Sequence, residues 1–442
     1  MTDKSRELSG KDLAREIFRK ALAAIDIRGA LERHLDREGT TIRCSGRRFD
    51  LQNFERIVAF AFGKAAYPMA EALTAILGPE FQPEGILVAP IRPPREIPGW
   101  KTIVARHPVP DEASFSAGHA IRERLAACDE KALVIFLISG GGSALVEWPL
   151  HAGLTLEDFQ RLNSALVTCG ATIEEINVIR KHLSATKGGR LAAAAPRSIK
   201  LTLAVSDVPE GCESSLSSGP TLPDPSTVTH AKAIVEKYGI MRKLPAAIAE
   251  LFAKDELVET PKEDDAAFAN AHFELVLRPH DLRHAAHHAC EAAGYVCVCD
   301  DSTDDWPVEK AAAHLVGALE KATQMNPGRR AAVVAVGELS SPVTGDGVGG
   351  RNSAFVLCCV EKIAGRKVTV LSAGTDGIDG NSPAAGSVAD GATTERARGM
   401  GLEPEEYFRR SDAYTFFSRL DDAIVTGYTG NNLRDLRVLL TS

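Results

Sequence analysis

The residues that could do chemistry gather where short apolar runs end and glycine begins. In ALVIFLISGGGSALVEW the apolar run stops at Ile138, and Ser139, Gly140, Gly141, Gly142 and Ser143 follow. Consecutive glycines let backbone N–H groups come close to an anion, and a helix opening near Ser143 would add the positive end of its dipole. These five residues are therefore expected to bind phosphate or carboxylate. In RIVAFAFGKAAYPMAEAL, Gly63 and Lys64 close one apolar run and open a helical pattern. Lys64 is not a Walker A lysine, because Ala65 stands where a magnesium-binding Ser or Thr would be. A cation at a helix start opposes the dipole, so another reason must keep it there. The stretch INVIRKHLSATKGGRLAAA sets Arg180, Lys181, His182 and Lys187 close together, ahead of Gly188 and Gly189. Arg180 and Lys187 are the candidates for holding a substrate carboxylate.

Acidic residues follow other apolar runs. Asp207, after LTLAVS, could accept a hydroxyl proton or bind a metal. Asp376, Asp379 and Asp390 lie in a glycine-rich loop that lacks the remaining positions of a calcium site, so Asp376 reads as a ligand-facing residue. Glu338, just past the run ending at Val336, is a second metal candidate. The loop then reaches GDGVGGRNS, in which Gly345, Gly347 and Gly350 satisfy GxGxxG. It starts too far beyond the strand end for a dinucleotide fingerprint. Arg351 nonetheless opens a helix beside glycines, a placement suited to clamping a phosphoryl oxygen. Gly347, Gly349, Gly350 and Asn352 are its expected phosphate-binding neighbours. No HEXXH, GxSxG or protein-kinase catalytic loop occurs in the chain.

Positioning these residues requires alternating strands and helices. Apolar runs at 56–62, 85–89, 132–138 and 201–206 alternate with helical patterns at 11–24, 65–76, 114–127 and 156–167. That alternation predicts an α/β fold with a doubly wound, largely parallel sheet. Strand patterns resume at 273–277, 295–299, 331–336, 368–373 and 423–426. The expected division is a first domain over 1–245, a linker or peripheral helix over 246–267, and a second, smaller α/β domain over 268–442. A chain of 442 residues is long enough for two cores.

Composition narrows the partners. A net charge of −8 argues against a nucleic-acid surface and leaves a small-molecule substrate as the expectation. No run approaches the roughly 20 apolar residues of a membrane span. The charged N-terminus lacks a signal-peptide core, and the nine cysteines form no paired CxxC motifs. A cytoplasmic monomer or homodimer with reduced thiols is expected.

Taken together, HPVPDEAS, ISGGGSAL, INVIRKHLSATKGGRLA, SDVPEG, SSGPTLPDPST, GDGVGGRNSAFVL, AGTDGIDGNSPAAGSVAD and TGYTGNNLRDLRVLL occur in the order found in the bacterial-type glycerate 2-kinases, which the chain resembles. The resemblance implies a Rossmann-like N-terminal domain and a MOFRL-type C-terminal domain with a mixed sheet. It also implies transfer of the ATP γ-phosphoryl group to the 2-hydroxyl of D-glycerate, with Mg2+ as the metal. The family's catalytic lysine falls on Lys64 and its catalytic arginine on Arg351. Asp207 is the candidate for orienting the hydroxyl. Two alternatives stand beside this reading: an NAD(P)H-dependent hydroxypyruvate reductase, a name the family has carried, and a non-catalytic sensor of sugar acids or nucleotides.

Overall fold

A computed structural model describes residues 8–209 and 211–441. Two compact units form, one from residues 27–277 and the other from residues 8–26 together with 278–441.

The 27–277 unit opens with three short antiparallel strands, β1 (Asp36–Glu38), β2 (Thr41–Cys44) and β3 (Arg47–Asp50). Its main sheet comprises β4 (Arg56–Phe62), β5 (Glu84–Ala89), β6 (Trp100–Val104), β7 (Ala132–Ser139), β8 (Ile199–Val205) and β9 (Ala271–Leu277). All neighbours in it run parallel, in the order β6-β5-β4-β7-β8-β9. In sequence rank this is 3-2-1-4-5-6, the doubly wound order, whose switch point lies between β4 and β7. Every residue of β7 is buried, as its unbroken apolar sequence requires of a strand covered on both faces. Val58, Phe60 and Phe62 of β4 share one core with Val134, Phe136 and Ile138 of β7 and with Ile121 and Leu125 of the helix Glu112–Ala126.

The other unit carries β10 (Val296–Cys299), β11 (Ala331–Gly337), β12 (Val368–Gly374), β13 (Gly386–Asp390), β14 (Ala423–Ile424) and β15 (Asp435–Thr441). Their order is β10-β11-β15-β12-β13-β14, with only β10 and β11 paired in parallel. The last strand is thus threaded antiparallel between β11 and β12. Val333, Ala335, Val370 and Leu439 form a core with the helices Val308–Met325 and Arg351–Val360.

The observed boundaries depart from those expected at three places. The run at 273–277 belongs to the first sheet, because β9 pairs with β8 in register Lys200↔Ala271 through Val205↔Leu277. Residues 246–267, expected as a linker or peripheral helix, carry the helix Ala246–Ala253, which packs within the first unit: Ile248 and Phe252, four apart on it, are buried in a core with the helices Leu156–Thr168 and Ile173–Leu183. The helix Gly10–Ala24 joins the second unit, where it buries Ala14, Ile17, Phe18 and Ala21. Its buried Lys11 is held 2.8 Å from Asp422 and 3.4 Å from Asp390.

Candidate functional site

At the switch point the ends of β4 and β7 are stitched together by hydrogen bonds. The Lys64 amide donates to the Gly140 carbonyl at 2.9 Å, and the Ala65 amide donates to Ser139 Oγ at 2.9 Å. Gly63 has φ +123°, and a Cβ there would lie 2.5 Å from the Ser139 carbonyl oxygen, so no other residue allows this approach. Gly141, at φ +85°, turns the chain out of β7; a Cβ on it would meet His107 at 3.2 Å and Cγ of Lys64 at 3.5 Å. Lys64 and His107 therefore flank the glycine loop. Among the described residues, the amides of Gly141, Gly142 and Ser143 find no protein acceptor. Ser139, by contrast, is fully engaged, because its carbonyl accepts Ser217 Oγ at 2.8 Å.

Ser143 is tied to a second shelf of polar groups. Its Oγ lies 2.9 Å from Ser218 Oγ, which donates to Asn177 Oδ1 at 3.0 Å. Ser217 and Ser218 both sit at positive φ, 49° and 62°. Two successive non-glycine residues there store strain of the kind found at ligand sites. In the sequence SSGPTLPDPST stands among the motifs of the resemblance, and its residue types favour turns without singling out these side chains. Asn177, Ser217 and Ser218 were legible in principle as polar residues at buried spacing, and His107 as part of HPVPDEAS.

Ser143, Ala144, Glu147, Asn163, Arg180 and Lys187 line one pocket beside this loop. Arg180 hydrogen-bonds Asn163. Burial lowers its pKa, opposed by Glu147, and among the described residues no carboxylate stands within ion-pair distance of it. A desolvated guanidinium of this kind favours an incoming anion. Lys187 also reaches the pocket, but its charge is already committed. Its Nζ lies 2.8 Å from Glu147 Oε2 and donates to the Val146 carbonyl at 3.2 Å. Burial lowers the Lys187 pKa against the pull of Glu147. The sequence expectation that Lys187 holds a substrate carboxylate is thereby corrected to a buried internal pair that shapes the wall. Asp207 follows β8, the strand next to β7, at the same carboxyl edge.

The second glycine-rich loop is differently built. Gly337 of β11 and Gly374 of β12 both pair with Asp435 of β15. Arg351, first residue of its helix, reaches back to this edge: its Nε lies 2.6 Å from Asp435 Oδ2 and its Nη2 2.9 Å from Glu338 Oε1. Burial works to lower the Arg351 pKa, but the two carboxylates outweigh it and the net shift is upward. Glu338, expected as a metal ligand, is thus an ion-pair partner of Arg351. Five of the nearby amides have protein acceptors. Gly347 donates to the Arg410 carbonyl, Val348 to Asp412, Gly349 to Asn381, and Asn352 and Ser353 to Asp379. A Cβ on Gly350 would lie 2.5 Å from the Asp379 carbonyl carbon. The glycines here permit backbone to pack on backbone, which corrects the expectation that the amides of Gly347, Gly349 and Asn352 cradle phosphate.

Asp379 is the residue the sequence undervalued. Buried, it caps the Arg351–Val360 helix through Asn352 N at 2.9 Å and Ser353 N at 2.8 Å. Burial raises its pKa to about 6 despite those bonds. Asp376 accepts the Ile378 amide at 3.0 Å within its own turn. A pocket of about 160 Å3 lies on the other side of the loop, lined by Val308, Val343, Gly349, Gly350, Ala354 and Phe408 among others.

A parallel doubly wound sheet with open glycine amides at its switch point, in a chain that also carries a mixed-sheet unit, defines a two-unit α/β protein. Residues 13–253 match a family described as a domain of unknown function (DUF4147), and residues 331–435 match the MOFRL family. A D-glycerate 2-kinase of Thermotoga maritima is 33% identical over 430 residues, covering 96% of this chain and 97% of that one. An Agrobacterium vitis protein named, provisionally, a hydroxypyruvate reductase is 34% identical over 442 residues, covering 98% and 95%. The crystal structure of a glycerate kinase from Thermotoga maritima superposes with TM-score 0.83 at 32% identity, covering 98% of this chain and 99% of that one. The chain belongs to this glycerate 2-kinase family. Among the described residues no helix is long and apolar enough to cross a membrane.

Proposed function

We propose that the protein transfers the γ-phosphoryl group of ATP to the 2-hydroxyl of D-glycerate, giving 2-phosphoglycerate and ADP. The observation that carries this reading is the switch-point loop, where glycine amides without protein acceptors among the described residues stand beside Lys64 and near the half-buried Arg180. Phosphoryl transfer needs positioning and charge stabilisation more than covalent chemistry. Lys64 and Arg351 offset the charge on the transferring oxygens. The 141–143 amides hold an anionic group, Arg180 engages the glycerate carboxylate, and Asp207 orients the reacting hydroxyl. Asp376 faces the substrate. The apolar pocket beside Gly349 and Gly350 suits the nucleoside.

Mg2+ fits this donor set, because it is usually bound by one or two carboxylates plus substrate phosphates. Asp207, at the carboxyl edge of the parallel sheet, is the carboxylate proposed for it, and the ion would neutralise phosphate charge. The protein acts as a cytoplasmic monomer or homodimer in this reading.

Phosphorus NMR of a reaction containing D-glycerate, ATP and Mg2+ tests the proposal, with the 2-phosphoglycerate resonance expected to grow with ADP. Rapid NADH oxidation by hydroxypyruvate without ATP, and no phosphomonoester, would replace it with the reductase reading. That alternative lacks structural support, since the GxGxxG amides of Gly347 and Gly349 already bond to protein.

A further inference from the structure

Four histidines stand on the helix Pro279–Ala292, namely His280, His284, His287 and His288, and none takes part in the proposed chemistry. Spacing of four residues puts His280, His284 and His288 on one exposed helix face. The rings of His284 and His288 stand edge to face with centroids 4.3 Å apart, and their Nε2 atoms are 3.1 Å apart. Behind His288, Nδ1 lies 3.4 Å from Glu291 Oε2. A carboxylate in that position holds the proton on Nδ1 and turns the Nε2 lone pair toward His284.

Two convergent imidazole nitrogens at this separation match the edge of a tetrahedron whose metal–nitrogen bonds are about 2.0–2.1 Å. Ligating histidines characteristically pass their other ring N–H to a carboxylate, the role Glu291 fills here. The i to i+4 spacing is also the one by which a single helix presents two histidines to zinc in HEXXH sites. We propose that His284 and His288 form a surface site for a divalent transition-metal ion, of the class of Zn2+, Ni2+ or Cu2+. Among the described residues no group of three or more histidine, cysteine or acidic side chains could hold a metal ion. The protein therefore contributes two ligands, and water completes the coordination. Such a site exchanges its ion readily.

His287 is directed elsewhere. Its Nδ1 lies 3.5 Å from Cys299 Sγ and its Nε2 3.3 Å from Glu291 Oε1. The Cys299 thiol is pushed up by its hydrogen bond with Cys297 and by burial, so it is not a ready thiolate ligand. Mg2+, which takes oxygen ligands, does not compete for paired imidazoles.

Isothermal titration of the metal-free full-length chain with ZnCl2, NiCl2 and CuCl2, in buffer containing Mg2+, tests the site. One ion per chain is expected, bound most tightly for Cu2+. His284→Ala and His288→Ala should each weaken binding by about tenfold or more, and Glu291→Gln by about tenfold through loss of the supporting carboxylate. His280→Ala and Cys299→Ser should leave it within about twofold of the parent, as expected for side chains outside the coordination. Unchanged affinity in the His284→Ala/His288→Ala double variant, loss of binding in Cys299→Ser, or no saturable binding to the parent chain would each overturn the proposal.

Discussion

The two glycine-rich loops look alike in sequence and do opposite things with their backbones. At 139–143 the chain leaves a fully buried parallel strand, and the amides of Gly141, Gly142 and Ser143 point to no protein acceptor among the described residues. At 345–353 the amides of Gly347, Val348, Gly349, Asn352 and Ser353 are taken up by the Arg410 carbonyl, Asp412, Asn381 and Asp379. Glycine leaves the backbone amides of the first loop open. In the second it leaves room for the protein itself. Runs of glycine thus report close approach, and only the partners show what approaches.

That contrast can be broken most forcefully at the two cations. Lys64→Ala should lower kcat by on the order of 10³, by analogy with loss of an arginine finger, with a smaller loss of melting temperature than Arg351→Ala. Arg351→Ala should cost comparable activity and also about 1–3 kcal/mol of stability, because Asp435 is left buried without its partner; the half-open position of Arg351 keeps this below a fully buried pair. Stopped-flow or coupled ADP assays with parallel thermal melts separate the two outcomes. Equal melting temperatures for both variants would erase the distinction between the loops.

Smaller effects sharpen it. Gly350→Ala should destabilise by about 1–3 kcal/mol through overpacking against Asp379 and Gly380. Gly141→Ala should instead act chiefly on substrate KM, with about 1–2 kcal/mol of strain from its left-handed backbone. Urea denaturation beside steady-state kinetics distinguishes them. Arg180→Gln should raise the KM for glycerate by roughly 10–100-fold, the worth of a charge-assisted hydrogen bond, with the KM for ATP unmoved. An equal rise for both substrates would remove Arg180 from the carboxylate site.

The smallest effect concerns pH. Asp379 has a folded pKa raised from 3.8 to about 6, so between those values the folded state binds a proton that the unfolded state lacks. Its contribution to stability therefore grows as pH falls from 7 toward 4, opposite to that of a salt-bridged carboxylate. Asp379→Asn, which keeps one acceptor oxygen, should lose about 1 kcal/mol of helix capping. The parent's advantage over it should widen on acidification in melts across pH 4–7. A constant gap would mean that Asp379 is not protonated in that window.

Much of the first sheet was readable because its strands are unbroken apolar runs. The run at 56–62 coincides with β4, and that at 132–138 falls one residue short of β7. Strand β15 was missed for the converse reason. Asp435 and Arg437 interrupt its apolar pattern, yet both are buried at the centre of the second sheet, where Asp435 meets Arg351 and Arg437 donates to the Gly337 carbonyl. Charge in a strand suggests an edge until its partner is known. Lys187 failed in the same way. Its neighbouring glycines suggested an anion site, whereas Glu147, 40 residues earlier, had already neutralised it. Long-range pairing of this kind leaves no periodic trace. Of the polar residues beside the 139–143 loop that sequence overlooked, Ser217 and Ser218 take left-handed backbone conformations that turn-forming composition signals only loosely, and Asn177 is a buried polar position on the helix Ile173–Leu183.

The helix Gly10–Ala24 packs in a unit whose strands all come from residues beyond 278, although its own chain continues directly into the other unit. During synthesis this helix emerges before the strands of its unit, with Ile17 and Phe18 lacking the sheet that later buries them. At about 5–20 residues per second, the ribosome takes roughly 15–50 s to deliver residue 278. Throughout that interval the intervening segment can fold on its own, while the N-terminal helix waits with its apolar stripe uncovered. This helix is therefore made early and placed late, and its apolar stripe is where a chaperone would have most to hold.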